Sequence, residues 1–145
     1  MRKFVVDANV AIKWVLPEIY SQLALQLLEN EENKLLVPDF FFSEIGNILW
    51  KRVRSREINL ITSQKYFNEI LAVNLQIYQS IQLVPLALDI AVGIQQAVYD
   101  CVYLALAVQE SCQMVTADER FFNALQGDSL ASYLCWVEAL PEVIR

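Results

Sequence analysis

The chain of 145 residues predicts an α/β fold, a central and mostly parallel sheet flanked by helices. Short apolar runs alternate with stretches whose apolar residues recur at helical spacing. Two of the apolar runs lead directly into acids, as strands do when they deliver side chains to one edge of a parallel sheet. With 56% hydrophobic and 19% charged residues, the chain can bury a sheet on both faces as one domain spanning 1–145.

Lys3-Phe-Val-Val-Asp7 reads as a buried first strand, followed by a helical stretch from near Asn9 that Pro17 limits. Ser21 to Glu29 places Leu23, Ala24, Leu27 and Leu28 on one side of an amphipathic helix. Lys34 to Val37 is a second strand, stopped by Pro38. Ser43 to about Arg56 is helical, with Ile45, Ile48, Leu49 and Val53 apolar and a basic group at its end, where cations oppose the helix dipole favourably. A helix over Thr62 to Asn74, a short strand over Ile81 to Val84 before Pro85, and a helix over Ala87 to Gln96 follow. Asp100 to Val108 is apolar on every side after its first residue, as expected of a central helix. Gln113 to Thr116 is the next strand, Glu119 to Leu125 a helix, and Leu134 to Val137 the last strand.

Composition removes much of the chemical repertoire. Without histidine, imidazole acid–base catalysis and a Ser-His-Asp triad are impossible. Gly46, Gly93 and Gly127 are too dispersed for a phosphate-cradling loop. The cysteines Cys101, Cys112 and Cys135 form no Cys-x-x-Cys pair and read as small core residues. The longest uncharged run, Ile70 to Leu88, is interrupted by amides and Pro85, and the N-terminus meets Asp7 after three apolar residues. No membrane span and no signal peptide are expected, which places the protein in the cytoplasm. A net charge of −6 argues against broad polyanion binding but not against local binding of a phosphodiester through cations.

Asp7 and Asp118 follow strand ends, Asp100 opens the apolar helix, and Glu44 lies near the start of the helix after the second strand. Each aspartate alone could be a helix N-cap, and Thr116-x-x-Glu119 has capping-box spacing. Together, carboxylates at the edge of an apolar core must be protonated, paired or neutralised by a cation. No base adjoins Asp7 or Asp100 in sequence, and an oxygen-only ligand set favours Mg2+ or Mn2+. Such ions allow phosphodiester hydrolysis without histidine by activating water and stabilising charge on the phosphate oxygens.

Four segments carry a resemblance: Val5-Val-Asp7-Ala-Asn-Val-Ala-Ile-Lys-Trp14, Pro38-Asp-Phe-Phe-Phe-Ser-Glu44-Ile-Gly-Asn47, Val98-Tyr-Asp100-Cys-Val-Tyr-Leu-Ala-Leu-Ala107 and Val115-Thr-Ala-Asp118-Glu-Arg-Phe121. In their order and approximate spacing the chain resembles the PIN-domain ribonucleases, specifically the VapC-type toxins of bacterial toxin–antitoxin pairs. That resemblance implies an acidic quartet of Asp7, Glu44, Asp100 and Asp118 around Mg2+ or Mn2+, with Asp7 and Asp100 as principal ligands. It implies metal-activated water as nucleophile, an RNA substrate, a homodimer and a cognate antitoxin bound along apolar helices. Trp14, Phe40, Phe41, Phe42 and Trp50 are candidates for lining that groove. Asn9 and Thr116 match polar positions beside the quartet.

Asn47 and Lys51 lie three and seven residues after Glu44, near the same helix face. Asn47 can therefore support the site, and Lys51, with Arg52, Arg54 and Arg56, is a candidate RNA contact. Between Pro85 and Tyr99 the chain is shorter than many VapC-type relatives, which bears on one groove wall more than on the chemistry. The alternatives are a non-catalytic PIN-fold module that binds RNA or protein, and a phosphotransfer domain using Asp7. The intact acids count against the first. The missing second aspartate in Asp7-Ala-Asn9 counts against the second.

Overall fold

In the computed structural model, which describes residues 2–141, the apolar runs assemble into a five-stranded, all-parallel sheet. The strands are β1 (Lys3–Val6), β2 (Lys34–Pro38), β3 (Leu75–Tyr78), β4 (Gln113–Thr116) and β5 (Leu134–Trp136), in the order β3-β2-β1-β4-β5. The chain builds outward from β1 on one side and then returns to build on the other. The gap between β1 and β4 is therefore the switch point at which such sheets open a crevice.

The helices are α1 (Ala8–Ala11), α2 (Ser21–Glu29), α3 (Phe41–Arg54), α4 (Leu60–Leu71), α5 (Ser80–Ile94), α6 (Val98–Gln109) and α7 (Glu119–Ala124). The first helix is one α-turn continued by a 3-10 turn over Ile12–Trp14, ending before Pro17 as expected. The core runs from Val5 and Val6 of β1 and Leu36 and Val37 of β2 to Met114 and Val115 of β4. Helix α6 supplies a continuous buried run from Cys101 to Ala107 and packs on β1, β2 and β4, so the helix apolar on all sides is the central one. Full burial of each Val, Leu, Ile or Phe contributes roughly 1.5–3 kcal/mol.

One element differs from expectation. The third strand is Leu75–Tyr78, and Ile81 to Val84 belong to α5, which extends from Ser80 through Pro85 to Ile94. Leu83, Ala87, Ile90 and Ala91 are its buried face, a helical spacing that overrides the proline as a boundary. Pro85 lies on the exposed side, where water can satisfy the carbonyl left without an N–H partner. The segment before Tyr99 is thus mostly one helix of 15 residues rather than a strand and a shorter helix.

Smaller shifts occur at helix ends. Helix α3 begins at Phe41 and stops at Arg54, leaving Arg56 at φ 62° beyond it. Helix α4 starts earlier because Asn59 caps it by accepting from the Thr62 N–H. No helix among the described residues is long and apolar enough alone to cross a membrane.

Candidate active site

Asp7 leaves β1 and caps α1, its Oδ1 accepting from the Val10 N–H at 2.8 Å. Its side chain is buried, with 6% of the residue exposed. Asp118 lies two residues beyond β4 and caps α7 by accepting from the Phe121 N–H at 3.1 Å. The Asp118 N–H donates to buried Thr116 Oγ1 at 3.0 Å, so Thr116 fixes the Asp118 turn instead of forming a capping box with Glu119. The N-cap reading of Asp7 and Asp118 is therefore correct, and it leaves each with a second carboxylate oxygen.

Asp100 does not open α6. The helix begins at Val98 with Ala97 at its cap, placing Asp100 in the first turn, where the helix dipole favours an anion. Capping thus does not explain Asp100. Glu44 occupies the first turn of α3 and accepts a hydrogen bond from Tyr103 Oη at 2.7 Å.

The fold brings these four acids into one electrostatic neighbourhood. Burial pushes the Asp7 carboxyl up to about 7, the Val10 N–H opposes that rise, and the charges of Asp100, Glu44 and Asp118 add to it. Glu44 is raised by burial and by Asp100, against the hydrogen bond from Tyr103 that holds it down. Asp100 is raised by burial and by Asp118. Among the described residues no ion pair relieves any of the four, since the salt bridges use Glu18, Glu57 and Glu110 instead.

Among the described residues, no three of these side chains stand close enough to enclose a single ion as placed. The donor set nevertheless fits a divalent cation of the Mg2+ or Mn2+ kind. It is oxygen-only, electrostatically coupled and, among the described residues, without a basic partner, so a cation would offset both the burial that chiefly raises Asp7 and the smaller repulsion from its neighbours.

Sequence reading missed Tyr103. Its hydroxyl also receives a hydrogen bond from the Ala8 main chain, and burial with the nearby Glu44 charge pushes the phenol well above its ordinary range. A tyrosine in an otherwise apolar helix, three residues after Asp100, is the signal that could have found it, because a buried phenol requires a partner. Asn9 and Asn47 are exposed on α1 and α3, and among the described residues neither hydrogen-bonds an acid of the quartet.

The basic group divides. Lys51 is exposed on α3, two turns beyond Glu44. Arg52 is occupied by Glu18 and by Glu57, the latter at 2.6 Å, and Glu18 also takes the buried Lys13 at 3.0 Å. Arg54 stacks its guanidinium 4.6 Å from the Trp50 ring centre. Arg56 lines a surface hollow beside Glu57 and Asn59.

Of the candidate groove aromatics, Trp14 and Phe41 belong to the core, while Phe40 and Phe42 pack partly against it. Trp50 is 53% exposed and lines an apolar groove of about 570 Å³ between α3 and α4 with Leu49, Val53, Leu60 and Phe67.

Four acids coupled through their charges, at the C-terminal edge of a parallel sheet beside its switch point, define an α/β protein with a carboxylate-rich candidate site. The model of the PIN domain family matches residues 4–126, and the chain belongs to that family. Among solved structures it is similar to PAE2754 from Pyrobaculum aerophilum, at 19% identity and TM-score 0.68, covering 94% of this chain and 85% of that one. It is also similar to VapC20 of Mycobacterium tuberculosis, described as a sarcin–ricin loop cleaving toxin, at 13% identity and TM-score 0.63, covering 83% and 94%. A third similar structure is VapBC2 from Rickettsia felis bound to a promoter DNA fragment, at 12% identity and TM-score 0.61, covering 92% and 98%. Among curated proteins none matches by sequence.

Proposed function

We propose that this PIN domain is a Mg2+- or Mn2+-dependent endoribonuclease, the toxin of a type II toxin–antitoxin pair. The observation that carries the reading is the gathering of Asp7, Glu44, Asp100 and Asp118 at the C-terminal edge of the sheet, close enough for their charges to act on one another and, among the described residues, with no base paired to any of them. Asp7 and Asp100 would be the principal ligands of the ion, with Glu44 and Asp118 completing the acidic wall. When bound, the ion supplies activation of water and stabilisation of charge on the phosphate oxygens.

The remaining work falls to the chain itself. Val10 holds one oxygen of Asp7, Thr116 holds the Asp118 turn, and Tyr103 holds Glu44, so three carboxylates are pre-oriented before substrate arrives. Exposed Lys51 can meet a phosphate along the strand. Arg52, paired with Glu18 and Glu57, would have to give up or share those partners to meet a phosphate, so Lys51 is the first candidate of the basic group.

The toxin role rests on likeness to the VapC20 and VapBC2 structures. The groove beside Trp50 is the surface we assign to an antitoxin segment, and homodimerisation and a cytoplasmic location complete the reading.

The test is cleavage of a structured RNA pool by protein freed of any partner, in Mg2+, Mn2+ and excess EDTA, with Asp100→Asn alongside. Cutting only by the wild type with metal is expected. Intact pool RNA and intact cellular RNA, from folded protein that binds metal, would favour a non-catalytic binding module.

A further inference from the structure

We infer that the exposed ring of Tyr99 is a stacking platform for an unpaired nucleobase of the RNA lying next to the acidic crevice. The inference rests on the ribonuclease reading and assigns a substrate contact that the acids cannot make. Tyr99 precedes Asp100 in the first turn of α6 and is 68% exposed, although the helix from Cys101 to Ala107 is buried throughout.

The ring is nonetheless held in place. Phe40 meets it edge-to-face at 5.8 Å and 86°, and meets Tyr103 in the same way at 5.5 Å and 87°. Phe40 stands at the cap of α3, in the turn between β2 and the helix that carries Glu44. Tyr103 in turn donates to Glu44. A chain of three packed rings thus ties an exposed aromatic surface to one of the acids.

Charge explains why such a platform is needed. The protein carries a net charge of −6, and four carboxylates share one electrostatic neighbourhood beside Tyr99, so Coulomb attraction for a polyanion is weak. A base is neutral and presents a π-face whatever its sequence. Stacking on tyrosine therefore supplies affinity that the acids do not oppose, and a ring already fixed by Phe40 loses little freedom on binding.

The experiment uses the full chain carrying Asp100→Asn, so that the probe survives, with and without Tyr99→Ala or Tyr99→Trp. Fluorescence anisotropy is read with a short labelled single-stranded RNA of mixed sequence and with an abasic ribose-phosphate strand of equal length. Tyr99→Ala should weaken RNA binding roughly 5- to 150-fold, with Tyr99→Trp restoring it and the abasic strand unaffected. Equal loss on both strands, or no loss on RNA, would overturn the platform while leaving the ribonuclease reading intact. Loss of self-association instead, seen by sedimentation, would assign the ring to a protein contact and overturn it likewise. Failure of the Tyr99-intact protein to bind the RNA strand would overturn the platform, while cleavage by the wild type decides the ribonuclease reading separately.

Discussion

Replacing Asp7 by asparagine should make the protein more stable while destroying its site. The native carboxyl titrates at about 7 against an ordinary 3.8, raised chiefly by burial. The native state therefore holds a proton over a pH range in which the unfolded chain has lost it. The associated stability is complete below about 3.8 and is lost as pH rises through about 7. That gap of roughly three pH units corresponds to about 4 kcal/mol at pH 8. Asparagine keeps the shape, caps as well as aspartate, and can still accept from the Val10 N–H, so the change isolates the charge. In metal-free buffer, Asp7→Asn should gain up to about 4 kcal/mol at pH 8, or roughly 10 °C in Tm. The gain should shrink to about 1–2 kcal/mol at pH 5 and vanish below pH 4. Urea unfolding at the three pH values measures it. A loss of stability at pH 8, or a gain independent of pH, would refute the assignment of Asp7 as a buried, electrostatically strained acid.

Further consequences concern the neighbours. Tyr103→Phe removes the hydroxyl that donates to Glu44 and accepts from the Ala8 main chain, with the bond to the charged group contributing about 1.5–3 kcal/mol; RNA cleavage should fall roughly tenfold or more and Tm by several degrees, and unaltered rates in the folded variant would remove Tyr103 from the site. Arg52→Ala should destabilise by about 1 kcal/mol, because it strips a partner from Glu18, whereas exposed Lys51→Ala should leave stability unchanged and weaken RNA binding severalfold; denaturation and anisotropy together separate the two. Protons and cations compete for Asp7, so Mn2+ affinity read by calorimetry should fall between pH 8 and pH 6.

Much of this was legible in the sequence, for identifiable physical reasons. The strands β1, β2 and β4 are buried after their first residues, and Phe4-Val-Val, Leu35-Leu-Val and Met114-Val carry no polar interruption. The edge strand β3 is not so marked. None of its residues is fully buried and Ile77 is exposed, Gln76 interrupts the run, and Pro85 drew the strand boundary too far along the chain. The acids could be picked out because they sit at strand ends and helix starts. Their coupling could not, because it depends on how deeply α6 brings Asp100 and Tyr103 against β1 and the start of α3. The pairing of Arg52 with Glu18 was equally hidden, since 34 residues separate them and charge alone does not reveal a distant partner.

Mn2+ binding followed by electron paramagnetic resonance, for the wild type and for Asp7→Asn, Glu44→Gln, Asp100→Asn and Asp118→Asn, tests most directly whether the four acids act as one cation site. A single class of site, weakened in every variant and most in Asp7→Asn and Asp100→Asn, is the predicted result. Wild-type Mn2+ affinity in folded Asp7→Asn and Asp100→Asn would contradict the account.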